Sequence, residues 1–422
     1  INEEFIFNKY EDLLNCEDID IIYISLPNSY HYEWISRSIE KNKKVLVEKP
    51  ATINFEEAQK LSEIIKKKNI FFNEGFMYRY LPYFKKIKNI CLVNNIEWKP
   101  FTYHKRLTFM ATIFDILIGT LFSTFLTIKH SINIIHIRSY IPGLMVLIST
   151  SLLKKKLIFD MRGFWADEKA DRSGWRRQGR TYKFFKIFER FLIEHSDHIV
   201  CLTKESKMIL LNLYSVNQDL VSVIPTCVDR SVFYPKNKIN KDVTVFGHLG
   251  SVDTAYDIDP VLAFIKIISS SLDVRIDFFN KGNHGFIKER CSALGLKSNL
   301  FSIKDIDRTD LSDHLSQIDI GCFYAKENFS IKASMPTKIG EFLSCGKPIL
   351  CNGFNNDVKD IIEVNKVGLL YDLDNSNIEM INLSLMKLLE DPDLSKRCEL
   401  LASSLFSLDK GIELYEQIYR SV

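Results

Sequence analysis

Short, unbroken apolar runs recur along the chain, with longer mixed segments between them. They are "DIIYIS" at 20–25, "KVLV" at 44–47, "INIIHI" at 132–137, "KLIFD" at 156–160 and "HIVCL" at 198–202. The series continues with "VTVFG", "VRIDFF", "LFSI", "IDIGCF", "PILC" and "VGLLY", starting at 243, 274, 300, 318, 348 and 367. Continuous apolar runs of strand length, separated by stretches long enough for helices, predict parallel strands covered on both faces. The expected class is α/β throughout.

Two breaks interrupt this rhythm. Residues 84–95 read as polar and irregular, and 225–240, "PTCVDRSVFYPKNKIN", reads as an exposed interdomain connection. The expected domains are therefore 1–90, 91–228 and 229–422. One apolar stretch is far longer than a strand. Residues 107–128 carry Asp115 as their one charge between flanking Lys105, Arg106 and Lys129. A buried or interface-lying helix of a soluble domain is expected there, with a membrane span as the alternative, because Asp115 and several hydroxyl side chains lower its hydrophobicity.

Composition narrows the function classes. Basic and acidic residues nearly balance at a formal net charge of +3, so no overall field favours nucleic acid. The nine cysteines are scattered without a CxxC pair, which points to reduced, small apolar residues of a cytoplasmic chain and not to zinc or disulfides. The start at Ile1 reads as that of a fragment.

In the first ninety residues, Asn28 and His31 follow one expected strand and Glu48, Lys49 and Pro50 the next, at carboxyl ends where open parallel sheets place ligands. "EKP" at 48–50 and "NEGFMYRYLP" from 73 resemble the second half of the dinucleotide-binding domain of the Gfo/Idh/MocA oxidoreductases. The resemblance implies a place for Lys49 near nicotinamide and substrate. The G-x-G-x-x-G phosphate turn, however, occurs nowhere in the chain. NAD(P) use and hydride transfer are therefore not expected. The segment is read as a fused or truncated remnant holding His31, Glu48, Lys49 and Pro50, or as a supporting layer that binds something.

From 96 onward the text changes. "DMRGFW" at 160–165 and "SDHIVCLTKES" at 196–206 resemble the acceptor-side lobe of GT-B glycosyltransferases of family 4, without that lobe's first strand and helix. Asp160, Arg162 and Gly163 end an expected strand, so Arg162 suits an anion and Asp160 a sugar hydroxyl. They equally suit each other, or the cap of the next helix. His136 is expected in the core. Residues 172–186 hold six Arg and Lys with interspersed aromatics, which fit a solvated helix face or a surface meeting lipid headgroups or a polyprenyl diphosphate.

The last lobe opens with a strand leading to Gly247 and Gly250, expected to let backbone approach a phosphate, with Ser251 and the next helix start offering amides. "SMPTKIGEFLSCGKP" at 334–348 matches a Pro-x-Lys-x-x-Glu form of the family motif, starting a helix at Pro336 and Thr337. Lys338 and Glu341 share a face. The resemblance implies that Glu341 grips the ribose diol of the donor while Lys338 serves its diphosphate. The alternative is a surface ion pair. Ala333 stands where many relatives carry a second glutamate, so the sugar-side carboxylate is not carried over.

The expectation is a GT-B glycosyltransferase with an incomplete N-terminal lobe, preceded by half a Rossmann domain. It would move a sugar, with retention, from a nucleoside diphosphate sugar to a cell-surface polysaccharide or polyprenyl-linked acceptor. Lys338, Arg162 and Asp160 are the catalytic candidates, and Glu341, Gly250, Ser251, Pro336 and Thr337 the donor contacts. No cofactor or metal is required, and no nucleic acid is expected as a partner. The place expected is the cytoplasm, extended to peripheral contact with the inner face of the membrane. The competing readings are an NAD-dependent sugar oxidoreductase and an inactive join of two partial proteins.

Overall fold

Strands form where the apolar runs lie. The computed structural model describes residues 6–74, 82–101, 108–236, 243–252, 255–308, 310–372 and 378–422. The chain divides into two compact units, Ile1–Thr102 and Tyr103–Val422.

In the first unit, β1 (Ile21–Ile24), β2 (Lys44–Val47) and β3 (Phe72–Glu74) form a parallel sheet in that order. Ile22, Ile24, Val45 and Val47 pack with Ile35, Ile39 and Leu61 from the helices His31–Glu40 and Phe55–Lys68. The second helix has a sequence-encoded start and stop. Asn54 accepts from the Glu57 amide at 2.8 Å, the Glu57 carboxylate accepts from the Ile53 amide at 3.1 Å, and Asn69 ends the helix in the left-handed region. Double coverage does not hold for β1, whose Ile21 and Tyr23 are exposed. The irregular break expected at 84–95 is largely helix instead, Pro82–Val93, begun by a proline whose missing amide costs nothing in a first turn. Most of "NEGFMYRYLP" lies outside the described residues.

The second unit contains two parallel sheets. One runs β4 (Ile134–Arg138), β5 (Lys156–Asp160), β6 (His198–Cys201) and β7 (Val221–Val223) in sequence order. The other comprises β8 (Thr244–Leu249), β9 (Val274–Phe279), β10 (Phe301–Lys304), β11 (Ile320–Cys322), β12 (Ile349–Cys351) and β13 (Gly368–Leu370), in the order β10-β9-β8-β11-β12-β13. Strand order in the larger sheet reverses beside β8, so the β8 and β11 ends open a crevice where ligands of such sheets bind. The central strands are buried on both faces, as their apolar runs predict.

The two lobes of this unit are stitched together by polar contacts. The Asp357 carboxylate of the larger-sheet lobe accepts from the Lys204 and Glu205 amides at 2.7 and 2.9 Å, and so caps the helix Lys204–Tyr214 of the other. Thr203 and Thr226 donate across the junction to the Lys332 and Met335 carbonyls, at 2.8 and 2.7 Å. The connection expected to be exposed is in part internal: Thr226, Val228 and Phe233 are buried, while Asp229, Ser231 and Tyr234 are exposed. The C-terminal helix Leu408–Ser421 lies on the smaller sheet, where Ile418 packs with Ile158, Val200 and Ile224. His136 is not a core residue. It is exposed on β4 and pairs with the Tyr419 hydroxyl of that helix at 2.6 Å.

The long apolar stretch forms the helix Thr108–Lys129, packed along the helix Tyr140–Ser151. Gly119 lets Met145 approach, Ser123 donates to the Met145 carbonyl at 2.8 Å, and Asp115 is buried. Its other face leaves Phe114, Leu117, Leu121, Phe125 and Ile128 exposed. The segment Ala111–Lys129 is long and apolar enough to cross a membrane by length and composition. Lys105 and Arg106 lie outside the described residues. The basic run at 172–186 is partly spent internally: Arg172 pairs with Glu168, Arg177 with Asp171, and Lys186 with Asp167 and Glu189. Buried Glu189 also accepts from the Tyr140 and Tyr214 hydroxyls at 2.7 and 2.6 Å, so both its oxygens have donors.

Candidate functional site

A cavity of about 750 Å³ opens between the two lobes of the second unit. Its floor is built by the ends of β8 and β10 and by the helix Thr337–Ser344, and its opposite wall by Arg162, Gly163 and Phe164 after β5. Of the residues singled out in the sequence, Arg162, Gly163, Gly250, Ser251, Ala333, Pro336, Thr337, Lys338 and Glu341 meet there.

The helix is short, and its side chains are unusually buried for charged groups. Pro336 stands extended before the first turn, and Cys345 and Gly346 end the helix, with Gly346 at φ +70°. Lys338 and Glu341 are 7% and 5% exposed, which removes the reading of a surface ion pair. The Lys338 amine sits 3.7 Å from the centre of the Tyr256 ring and has no hydrogen-bond partner. Burial holds its pKa down at about 7 against the opposing pull of Glu341. Burial likewise raises the Glu341 pKa, against Arg308, whose Nη2 donates to Glu341 Oε1 at 3.1 Å, and against Lys338.

At the end of β8, Gly250 adopts φ +89°, with its amide donating to the Phe279 carbonyl at 3.0 Å and its carbonyl accepting from Asn280 Nδ2 at 2.8 Å. A Cβ added at Gly250 meets no atom within 4 Å, so its backbone faces open space in the cavity. Gly247 has another task than the one expected of it. It lies inside β8, where a Cβ would come within 2.6 Å of Ile318 Cδ1, so it serves packing and does not face a phosphate. The helix expected directly after the glycines begins only at Asp259, which lines a different cavity with Arg290 and Lys326. Gly250 thus leaves room for a phosphate to approach, while its own amide is spent on Phe279.

Arg162 has a left-handed backbone, φ +62°, which an arginine adopts at a cost. Burial and the neighbouring Arg138 lower its pKa. Asp160 does not line the large cavity. It belongs to an adjoining chamber of about 330 Å³, 5% exposed, where Tyr415 donates to its Oδ2 at 3.2 Å. Asp160 and Arg162 make no hydrogen bond to each other that would turn them inward as a pair; the nearer cation is Arg138, whose Nε lies 3.9 Å from Asp160 Oδ2.

The remaining candidates belong to the first unit. His31 is buried, with its ring nitrogens 2.8 and 2.6 Å from the Pro50 and Leu26 carbonyls, so it staples two loops and keeps neither nitrogen for a ligand. Glu48 accepts from the Tyr23 hydroxyl at 2.5 Å. Among the described residues, no three His, Cys, Asp or Glu side chains are grouped to hold a metal ion.

Comparison with known families now bears on this geometry. Residues 2–76 match the family model described as oxidoreductase family, NAD-binding Rossmann fold. Residues 102–232 match Glycosyltransferase Family 4, and 229–402 match Glycosyl transferases group 1. The second unit carries two glycosyltransferase domains in tandem. An oxidoreductase-family segment precedes it.

Among curated proteins, the glycosyltransferase's leading segment is 36% identical over 87 residues to an uncharacterized oxidoreductase, YrbE, of Bacillus subtilis, covering 21% of this chain and 26% of that protein. It is 32% identical over 81 residues to dTDP-3,4-didehydro-2,6-dideoxy-alpha-D-glucose 3-reductase of Actinomadura kijaniata, covering 19% and 24%. The chain thus spans about a quarter of the length of these curated relatives. Among solved structures, a glycosyltransferase from Rickettsia africae superposes with a TM-score of 0.58 at 15% identity, covering 95% of this chain and 97% of that one. Anabaena Alr3699/HepE, solved with UDP and glucose, gives 0.57 at 11% identity, covering 96% and 100%. At such identities these likenesses are of fold, that of the two-lobed GT-B enzymes.

Several cavity residues of the glycosyltransferase escaped sequence reasoning: Arg308, Tyr256, Thr226 and Asn280. Asn280 and Arg308 follow β9 and β10, so the carboxyl-end rule that singled out Asp160 and Arg162 would have found them too. Tyr256 gives no such signal.

Proposed function

We propose that the second unit transfers a sugar, with retention of configuration, from a nucleoside diphosphate sugar to a hydroxyl of a cell-surface polysaccharide or lipid-linked acceptor. The carrying observation is the Lys338 amine, buried without a hydrogen-bond partner in the same cavity as a buried carboxylate, Glu341, and an open glycine turn, Gly250. A nucleoside diphosphate offers what these groups lack: a vicinal diol for the carboxylate, an oxyanion for the amine, and a group to fill the space beside Gly250. Transfer develops positive charge on the sugar ring and negative charge on the departing diphosphate. In this reading Lys338 stabilises the departing charge from below, in the space left open at Gly250, and Arg162 approaches it from the acceptor wall.

Isothermal calorimetry tests this directly. UDP or GDP is expected to bind the full chain at one site with micromolar affinity, and heat from neither nucleotide would sink the reading.

The same proposal places the work at the inner face of the membrane, in contact through the exposed apolar stripe of the helix Thr108–Lys129. Leu117, Leu121 and Phe125 recur on one face beside Lys129, a spacing that suits insertion among lipid headgroups. Flotation with anionic vesicles is expected to carry the wild-type chain and to leave Leu121→Glu behind; equal flotation of both overturns the contact.

The oxidoreductase-family segment is assigned no hydride transfer in this reading. His31 and Glu48 are already engaged with the Leu26 and Pro50 carbonyls and the Tyr23 hydroxyl.

A further inference from the structure

The chamber beside the donor cavity has a composition of its own. It is walled by Arg138 and Asp160 at the ends of β4 and β5, by Ile224–Cys227 of the lobe connection, and by Leu408, Gly411, Ile412 and Tyr415 of the C-terminal helix. It shares Arg162, Thr226 and Thr337 with the large cavity, so the two spaces meet at one wall.

Charge in the chamber is unbalanced. Two guanidinium groups, Arg138 and Arg162, lie near enough to oppose each other's charge, and one carboxylate stands beside them. That carboxylate is only half used. Asp160 Oδ2 accepts from Tyr415, whereas Oδ1 is buried and has no hydrogen-bond partner. A buried carboxylate oxygen without a donor is costly, and native folds retain such a group where something else supplies the donor. Arg162 adds a second cost, the left-handed backbone that turns it towards the shared wall.

We propose that this chamber is an acceptor subsite for an oxyanion flanked by a hydroxyl, with a phosphate or carboxylate on Arg138 and Arg162 and the hydroxyl donating to Asp160 Oδ1. The proposal rests on the glycosyltransferase reading for the word acceptor, and on the chamber's own groups for the chemistry. An anion fits between the two cations that now repel each other, and a planar guanidinium pairs with either oxyanion through two parallel bonds. A hydroxyl is the neutral donor that a lone carboxylate oxygen selects. Thr337 lies on the common wall, one residue before Lys338, so an acceptor held in the chamber reaches the donor space without crossing a lobe.

The test uses the full chain with the donor cavity saturated by UDP, and follows inorganic pyrophosphate, glucuronate and glucose by saturation-transfer NMR. Glucuronate is expected to bind at least tenfold more tightly than glucose while UDP stays bound. Arg138, whose side chain is 66% exposed, is replaced without disturbing the core, and Arg138→Gln is expected to weaken both anions at least fivefold. Asp160→Asn is expected to weaken glucuronate while pyrophosphate is held as well or better, since the variant removes a repelling charge. A preference for pyrophosphate indicates a diphosphate-bearing lipid as the source of the anion; a preference for glucuronate indicates an acidic glycan. Unchanged anion affinity in Arg138→Gln, or displacement of both anions by UDP, overturns the subsite and leaves the donor reading intact. Failure of UDP itself to bind, with glucuronate still bound and sensitive to Arg138→Gln, overturns the donor reading and leaves the anion site.

Discussion

Alanine in place of Glu341 is expected to weaken UDP or GDP binding by roughly ten- to a hundredfold, the loss that follows when hydrogen bonds to a charged group are removed. The carboxylate is 5% exposed, so whatever it binds is drawn out of water with it. Its ordered neighbour is Arg308, 3.1 Å away and otherwise 74% exposed, which holds one oxygen and leaves the other for a diol. Alanine removes the acceptor for both hydroxyls and leaves Arg308 without its partner. Glutamine keeps the shape but turns a donor towards the diol, so Glu341→Gln is expected to lose nearly as much. Burial raises the Glu341 pKa, so the ionised acceptor is lost at a higher pH than for an ordinary glutamate, and affinity declines correspondingly early on acidification. Calorimetry with the two variants, alongside urea midpoints to confirm folding, measures this. A UDP affinity within threefold of wild type in Glu341→Ala would remove the ribose role.

Why Glu341 was legible in the sequence, and Arg308 was not, has a physical reason. A helix start carries local chemistry: Pro336 sets the entry, and side chains three apart must share a face. Arg308 meets Glu341 across the crevice although three strands separate β10 from β12 in the larger sheet, a long-range contact that no local pattern contains. The same division explains the strands. Parallel strands buried on both faces announce themselves as unbroken apolar runs, as β5, β6, β8 and β11 do, and the half-covered β4 and β10 are apolar enough to be read in the same way. β3 and β7 are three residues each, "FNE" and "VSV", too short and too polar to stand out from a loop. Gly247 misled because a glycine beside a strand end looks alike whether a phosphate or a side chain approaches it; the decisive neighbour, Ile318, comes from the loop before β11. Asp160 was singled out correctly as a strand-end residue, but only the position of the C-terminal helix assigns it to a chamber of its own.

Lys338 is where the cavity's electrostatics are most exposed to experiment. Its amine is buried over the Tyr256 ring without a hydrogen bond, and its pKa lies near 7 in place of 10.5, chiefly because burial disfavours the charge. The sign for stability follows. Between about pH 7 and 10.5 the unfolded chain holds a proton on this amine that the folded chain has released, so its contribution to stability improves as pH rises through that window. Lys338→Met is expected to abolish this slope and to leave the fold more stable near pH 7. Binding carries the opposite sign, because a diphosphate favours the ammonium form. Nucleotide binding near pH 8 is then expected to take up a proton, seen as a binding enthalpy that changes with the ionisation heat of the buffer. UDP affinity is expected to fall by up to about tenfold per pH unit above 7, as charging the amine becomes more costly. For transfer the loss is larger, since the charge on the leaving diphosphate grows in the transition state: Lys338→Met is expected to lower kcat/KM roughly 10²- to 10³-fold. A variant with near wild-type kcat/KM, and a UDP affinity with the same pH profile as the parent, would show that the buried amine serves packing against Tyr256 and not the diphosphate.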